Sequence, residues 1–216
     1  MDNLLLREKR IADVLQLKDK SACHFLAQYG EIVDYSPNAY LRRIGQTTKH
    51  LVFLLEGTVR LYYIDSVGGE HTQFFARLPG SFLSALQQST GNMSGAQAIG
   101  SVQVLQLTRE RGAELFSGSS EMLRCTGRLL NQALVEQSRL NILLRKSTPA
   151  QRYAWFLREY PGLEAHAGKR HIASFLGMTP ETLSRVRSSW HTAAPEELLA
   201  QDTPEILRLW ESEERK

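Results

Sequence analysis

The chain has 216 residues, 42% of them hydrophobic and 23% charged, with a formal net charge of +3. That composition supports a real core in one large or two small domains and excludes wholesale disorder. No apolar run reaches membrane-spanning length, and Arg7, Glu8, Lys9 and Arg10 are followed by no long apolar stretch, so a cytoplasmic protein without a signal peptide is expected.

Residues 5 to 28 read as helical, with Ile11, Leu15, Leu17, Phe25 and Leu26 set among charges. Cys23 falls here and Cys125 about a hundred residues later. Two scattered cysteines make neither a disulfide framework nor a metal site and read as small buried hydrophobes. From 31 to 107 the chain turns to short β-rich runs: Glu31–Tyr35, Tyr40–Ile44, His50–Leu55, Thr58–Asp65, His71–Arg77 and Val102–Leu107. Gly57 separates two of them, and Gly68-Gly69 supplies a tight reversal. Val59, Leu61 and Tyr63 alternate with Arg60 and Tyr62, the period of a half-buried strand. Short strands in this pattern predict a small antiparallel barrel or sandwich.

A long helix is predicted from Ser119 to Arg145, spanning roughly 40 Å at the α-helical rise. Leu123, Thr126, Leu130, Ala133, Gln137, Leu140 and Leu144 recur at alternating steps of three and four, a seam that suits pairing with a second copy. The alternative is a helix packed on its own barrel. Pro149 then bars its predecessor from the α region, and Thr148 can cap a new helix bearing Tyr153, Ala154, Phe156 and Leu157. Tyr160-Pro161-Gly162 ends it.

Charge is uneven beyond this point. Residues 148 to 190 hold six basic and three acidic side chains, whereas 191 to 216 hold three basic and seven acidic ones. Within the basic segment, Ile172, Ala173 and Leu176 make one apolar face of a short helix, and Gly177 can take the positive φ that turns the chain. Thr179 is a good N-cap, Pro180 suits the first helical position, and Glu181 favours the positive end of the helix dipole. Leu183, Val186 and Trp190 bury one side of this second helix, and Glu181, Arg185 and Ser188 or Ser189 face the other way. Such a helix can enter a major groove. There Arg185 can pair with guanine, Glu181 can accept from cytosine, and Ser188 joins them as a base-reading candidate. Lys169, Arg170, Thr179, Thr182, Ser184 and Arg187 suit phosphate contacts. An ordinary αα-hairpin with a solvated charged face is the alternative.

The run Ile172-Ala173 to Leu176-Gly177, followed by Thr179-Pro180-Glu181-Thr182-Leu183-Ser184-Arg185, resembles the DNA-binding signature of the Crp–Fnr regulator family. Leu54-Leu55-Glu56-Gly57-Thr58-Val59-Arg60-Leu61-Tyr62 and Leu78-Pro79-Gly80-Ser81-Phe82-Leu83 look like that family's β-roll sensor. The resemblance covers nearly the whole chain. It implies an α+β architecture: an antiparallel jelly-roll-like β-roll with N-terminal helices over 1–116, a dimerisation helix over 117–147, and a helix-turn-helix domain over 148–216. It also implies that Leu123, Leu130, Ala133, Gln137, Leu140 and Leu144 pair two subunits, that Glu181 and Arg185 read bases in duplex DNA, and that the roll holds a small effector. RNA polymerase is a further partner to expect.

Departures from the family pattern narrow the effector. Members that bind cyclic AMP carry Gly-Glu after the equivalent of Phe82 and Arg-Ser downstream. Here Ser84-Ala85 and Asn92-Met93 stand in those places, so both charged anchors are missing and cyclic AMP is not expected. Two cysteines exclude a four-cysteine iron–sulfur cluster, and His24, His50 and His71 are haem ligands by residue type only. The candidate effector pocket is Arg60, Tyr62, Phe82, Leu83, Ser84, Ala85, Asn92, Met93 and Ser94. Arg60 sits equally well on an exposed strand face, and the polar stretch from Gln87 to Ser94 reads equally as pocket lining or surface loop. Where many relatives have a β-hairpin wing, Pro195-Glu196-Glu197 and Pro204-Glu205-Ile206 read as helical starts of an acidic tail. The sequence offers no nucleophile–base pair, metal-spaced histidine cluster or phosphate-cradling loop, so no enzyme is expected. A small-molecule-binding module whose helix-turn-helix no longer selects DNA is the other reading.

Overall fold

The computed structural model describes residues 2–47, 49–84 and 94–190. The chain forms two compact units, Met1–Leu134 and Val135–Lys216. The boundary falls inside the long helix, which therefore makes no unit of its own.

The first unit opens with α1 (Asp2–Leu15) and α2 (Lys20–Tyr29) where one helical stretch was expected. Gln16 takes a φ of 53° at the break, and the Asp19 carboxylate restarts the helix by accepting from the N–H groups of Ser21 and Ala22. Among the described residues, five antiparallel strands follow: β1 (Glu31–Tyr35), β2 (Tyr40–Arg42), β3 (His50–Ile64), β4 (Glu70–Ala76) and β5 (Ser94–Thr108). They lie in the order β1-β5-β3-β4, and β2 also pairs with β5. Then come α3 (Arg109–Gly118), capped by Thr108, and α4 (Ser120–Lys146). Helix α3 is not among the predicted elements.

Gly57 does not end a strand. The chain stays paired to β5 through it, with irregular register between Leu54 and Thr58. Gly57 has a φ of +92°, and a Cβ there would stand 2.4 Å from the Ser101 carbonyl oxygen. A bulge bends a strand and inserts an odd residue without breaking the ladder, which shifts the parity of every later side chain. Leu51, Phe53 and Leu55 accordingly pack with Ile11, Leu15, Leu26, Met122 and Cys125 under the helices. Beyond the bulge, Val59 and Leu61 instead join Phe74, Ala96, Ala98 and Val104 inside the roll.

The expected reversal after β3 is present: the Asp65 carboxylate accepts from the N–H groups of Val67 and Gly69 across a turn in which Gly68 has a φ of +87°. At the head of α4, Glu121 accepts from the backbone N–H of Lys18 at 2.9 Å and from that of Asp19. Asp19 in turn accepts from the Ser119 hydroxyl at 2.7 Å. This reciprocal pair ties the α1–α2 junction to the start of α4, and its hydrogen bonds hold the Asp19 carboxyl below its ordinary range, Ser119 contributing most.

The second unit contains the end of α4, then α5 (Pro149–Glu159), a 3₁₀ turn at Leu163–Ala165, α6 (Lys169–Phe175) and α7 (Pro180–Trp190). Thr148 caps α5 in a full capping box with Gln151. Phe156, Tyr160 and Phe175 meet edge-on or stacked with centroids 5.3–6.2 Å apart, and Trp155 closes the cluster.

Along α4 the predicted seam divides. Leu123 and Leu130 are exposed, and so is Leu134, which the seam omitted. Ala133, Gln137 and Thr126 are half-buried. Leu140 is buried, and Leu144 lies 3.3 Å from where a Cβ on Gly177 would be, so Leu144 serves the second unit's own packing. A seven-residue step drifts about 20° per repeat around a straight helix, so a strict heptad does not stay on one face. Among the described residues no helix is long and apolar enough to cross a membrane.

Candidate nucleic-acid interface

The helix-turn-helix forms as its residue types dictate. Ile172, Ala173, Phe175 and Leu176 are buried on α6. Gly177 takes a φ of +60°, its N–H bonds to Ser174 O, and Met178 N–H bonds to Ala173 O, which closes the helix end. The Thr179 hydroxyl then accepts from the N–H of Thr182 at 3.2 Å, and Pro180 begins α7.

On α7, Leu183 is fully buried and Val186 half-buried. Glu181, Arg185 and Ser188, at i, i+4 and i+7, share the opposite, exposed face. Arg185 donates to the Thr182 hydroxyl at 3.3 Å, which holds its guanidinium along the helix. The Glu181 carboxyl lies below its usual range, chiefly through its own backbone N–H and the Thr179 hydroxyl, with Lys169 and Arg185 adding to this. It is therefore ionised at neutral pH and can accept from a base amino group. Lys169 and Arg170 stand exposed at the N-terminal end of α6.

Three predicted contacts look different in the structure. The Arg187 side chain turns to Glu164 at 3.0 Å, and the Tyr153 hydroxyl donates to the same carboxylate oxygen. Arg187 thus braces α7 against the 3₁₀ turn instead of reaching out for a phosphate. Burial, then the bond to Glu164, pushes the Tyr153 phenol well above its ordinary value, so it remains a donor. The Ser184 hydroxyl donates to Pro180 O at 2.8 Å and that of Ser188 to Ser184 O at 3.1 Å. Both hydrogens are spent on the helix backbone and need a rotamer change to reach a phosphate or base.

Arg152 carries a role that its residue type alone did not signal. It counts towards the basic charge of the segment, yet its Nε donates to Ser147 O at 3.0 Å and its Nη1 to Leu176 O and Gly177 O at 2.8 and 3.1 Å. The guanidinium pins the turn between α6 and α7 from behind. The carbonyls at a helix C-terminus are natural acceptors for a cation.

Among the described residues, the predicted effector side chains Phe82, Leu83, Ser84, Ser94 and Arg60 are set in different surroundings. Phe82 stacks on Phe53 at 4.7 Å on the helix side of the sheet, whereas Leu83 lies inside the roll. Ser84 is spent on Val52 N–H and His50 O, and Ser94 accepts from Arg42. Arg60 is not on an exposed face: it is 1% exposed and donates to Thr72, Gln97 and Glu70 at 2.8–3.2 Å, with its guanidinium over the Tyr62 ring. Acceptors from β4 and β5 surround it, which the alternation of one strand does not disclose. Ala85, Asn92, Met93 and the stretch from Gln87, together with the Trp190 side chain, the wing and the acidic tail, lie outside the described residues.

No protein-family model and no curated protein sequence matches the chain. Solved structures do resemble it. FixK2 from Bradyrhizobium japonicum aligns with a TM-score of 0.62 at 23% identity, over 76% of this chain and 85% of that one. The c-di-GMP-responsive global regulator CLP of Xanthomonas campestris aligns at 0.66 and 14% identity, over 81% and 92%. A transcriptional regulator of the CRP/FNR family from Thermus thermophilus aligns at 0.61 and 22%, over 75% and 86%. The chain has the fold of CRP/FNR-type regulators.

Proposed function

We propose that this chain is a CRP/FNR-family transcription regulator that binds a pseudo-palindromic DNA site as a homodimer, with α7 in the major groove and the β-roll as the ligand-sensing part. The observation that carries this is the single exposed face of Glu181, Arg185 and Ser188 on a helix whose back is packed and whose start is fixed by Thr179. Lys169 and Arg170 flank it as candidate phosphate contacts. The exposed line of Leu123, Leu130 and Leu134 on α4 suits a second copy of the chain.

Selection from a random duplex library, followed by fluorescence anisotropy on the enriched site, tests the reading. Two half-sites about 34 Å apart centre to centre are expected for a two-fold dimer. Arg185→Ala is expected to cost about 1–3 kcal/mol on the selected site and to relax preference at one base pair. Salt-sensitive binding with no enriched sequence would instead favour a ligand-binding module whose helix-turn-helix has lost its selectivity.

A further inference from the structure

We infer that the first unit carries a binding site for a small organic anion, in the cavity between β1, β2 and the start of β3. The cavity measures about 440 Å³, within the range of small-ligand sites. Arg42, Lys49 and His50 line it, with the side chains of Tyr35 and Gln46, and no acidic side chain is among the described residues that do. Among the described residues proposed from sequence, Leu83 contributes.

The donors are set in place by the fold. Arg42 is only 8% exposed and is anchored through Ser94, donating to its carbonyl at 2.6 Å and to its hydroxyl. A guanidinium so withdrawn from water attracts an incoming anion more strongly than a surface one. The Tyr35 hydroxyl accepts from the Gln106 amide at 2.9 Å, which leaves its own hydrogen to donate. Gln46 uses its carbonyl oxygen on the Arg43 N–H at 2.8 Å, which leaves its amide hydrogens to donate. Leu41, Val52 and Leu83 supply an apolar side to the same space. Donors, cations and hydrocarbon lining one space fit an oxyanion, carboxylate or phosphate monoester, on a short apolar body.

This inference rests on reading the roll as the ligand-sensing part, but its test needs no DNA. Calorimetric titration of the full chain with hexanoate, hexyl phosphate and hexanol separates the contributions. At least one of the two anions is expected to bind about tenfold or more tightly than hexanol, and their order tells a carboxylate site from a phosphate site. Lys49→Gln, at an exposed position that the fold does not need, is expected to weaken that anion about fivefold while the melting temperature of the ligand-free protein stays unchanged. Binding of hexanol as tightly as either anion, no binding of either anion up to about 10 mM, or an unchanged affinity in Lys49→Gln would each overturn the site. Anion binding by a chain that selects no DNA would sink the regulator reading and leave this one standing.

Discussion

Arg152 donates to three backbone carbonyls, at Ser147, Leu176 and Gly177, and reads in sequence only as one more positive charge. Hydrogen bonds from a charged donor are worth more than neutral ones, so Arg152→Gln should destabilise the second unit by about 2 kcal/mol. The same substitution should weaken DNA binding without changing the slope of log K against log salt, because no phosphate contact is lost. Lys169→Gln should instead lower that slope by about one. Anisotropy over a salt series distinguishes them, and a reduced slope in Arg152→Gln would make it a phosphate contact. The front of α7 was legible because a helix repeats every 3.6 residues, so Glu181, Arg185 and Ser188 align whatever surrounds them. Arg152, Arg187 and Arg60 were not, because their partners come from elements distant in sequence. The inward turn of the Ser184 and Ser188 hydroxyls was missed for a more local reason: the carbonyl four residues back competes for each hydrogen.

At the scale of elements, the junction of α2 with the head of α4 gives the clearest pH dependence. The folded Asp19 carboxyl is held below its unfolded value. Its stabilising contribution is thus complete above the ordinary carboxylate range and is lost as pH falls through the folded value. Asp19→Asn should lower the melting temperature at pH 7 and show a smaller drop between about pH 5 and pH 3 than the parent chain. Equal drops would mean that other carboxylates dominate acid unfolding. Helix starts were the most legible elements. Thr148 and Thr179 cap their helices because a side-chain oxygen ahead of a helix, with proline at its first position, meets an N–H that has no other acceptor. The break after α1 has no signal in the hydrophobic pattern, because the buried positions Ile11, Leu15, Leu17 and Leu26 continue across it. Strand β5 was read only over its second half. Its first half, from Ser94, holds Ala96, Gln97 and Ala98, small or polar residues whose strand conformation comes from their neighbours in the sheet.

For the molecule as a whole, the order of helices, sheet, long helix and terminal helix-turn-helix was legible from hydrophobic period and turn residues. Three segments were expected, and the chain divides into two compact units with a boundary inside α4, whose last turns carry the buried Leu140 and Leu143. What α4 leaves outside are Leu123, Leu130 and Leu134, at 56, 42 and 64% exposure. Sedimentation should find the chain at about twice its 24.5 kDa mass at micromolar concentration, and Leu134→Glu should shift it towards the monomer. A parent chain that sediments as a monomer would remove the dimer and with it the symmetric DNA site.

The odd residue in β3 has a consequence for what this chain can tolerate. One continuous strand serves two cores, and the change of sides falls in the irregular stretch around Gly57. Loss of one residue there would exchange the two faces of the strand beyond it, setting the guanidinium of Arg60 against the apolar cluster of Phe74, Ala96 and Ala98 and taking Val59 and Leu61 out of that cluster. Point substitutions along β3 test packing one site at a time, whereas a one-residue deletion at the kink would exchange the two faces of everything downstream to Ile64.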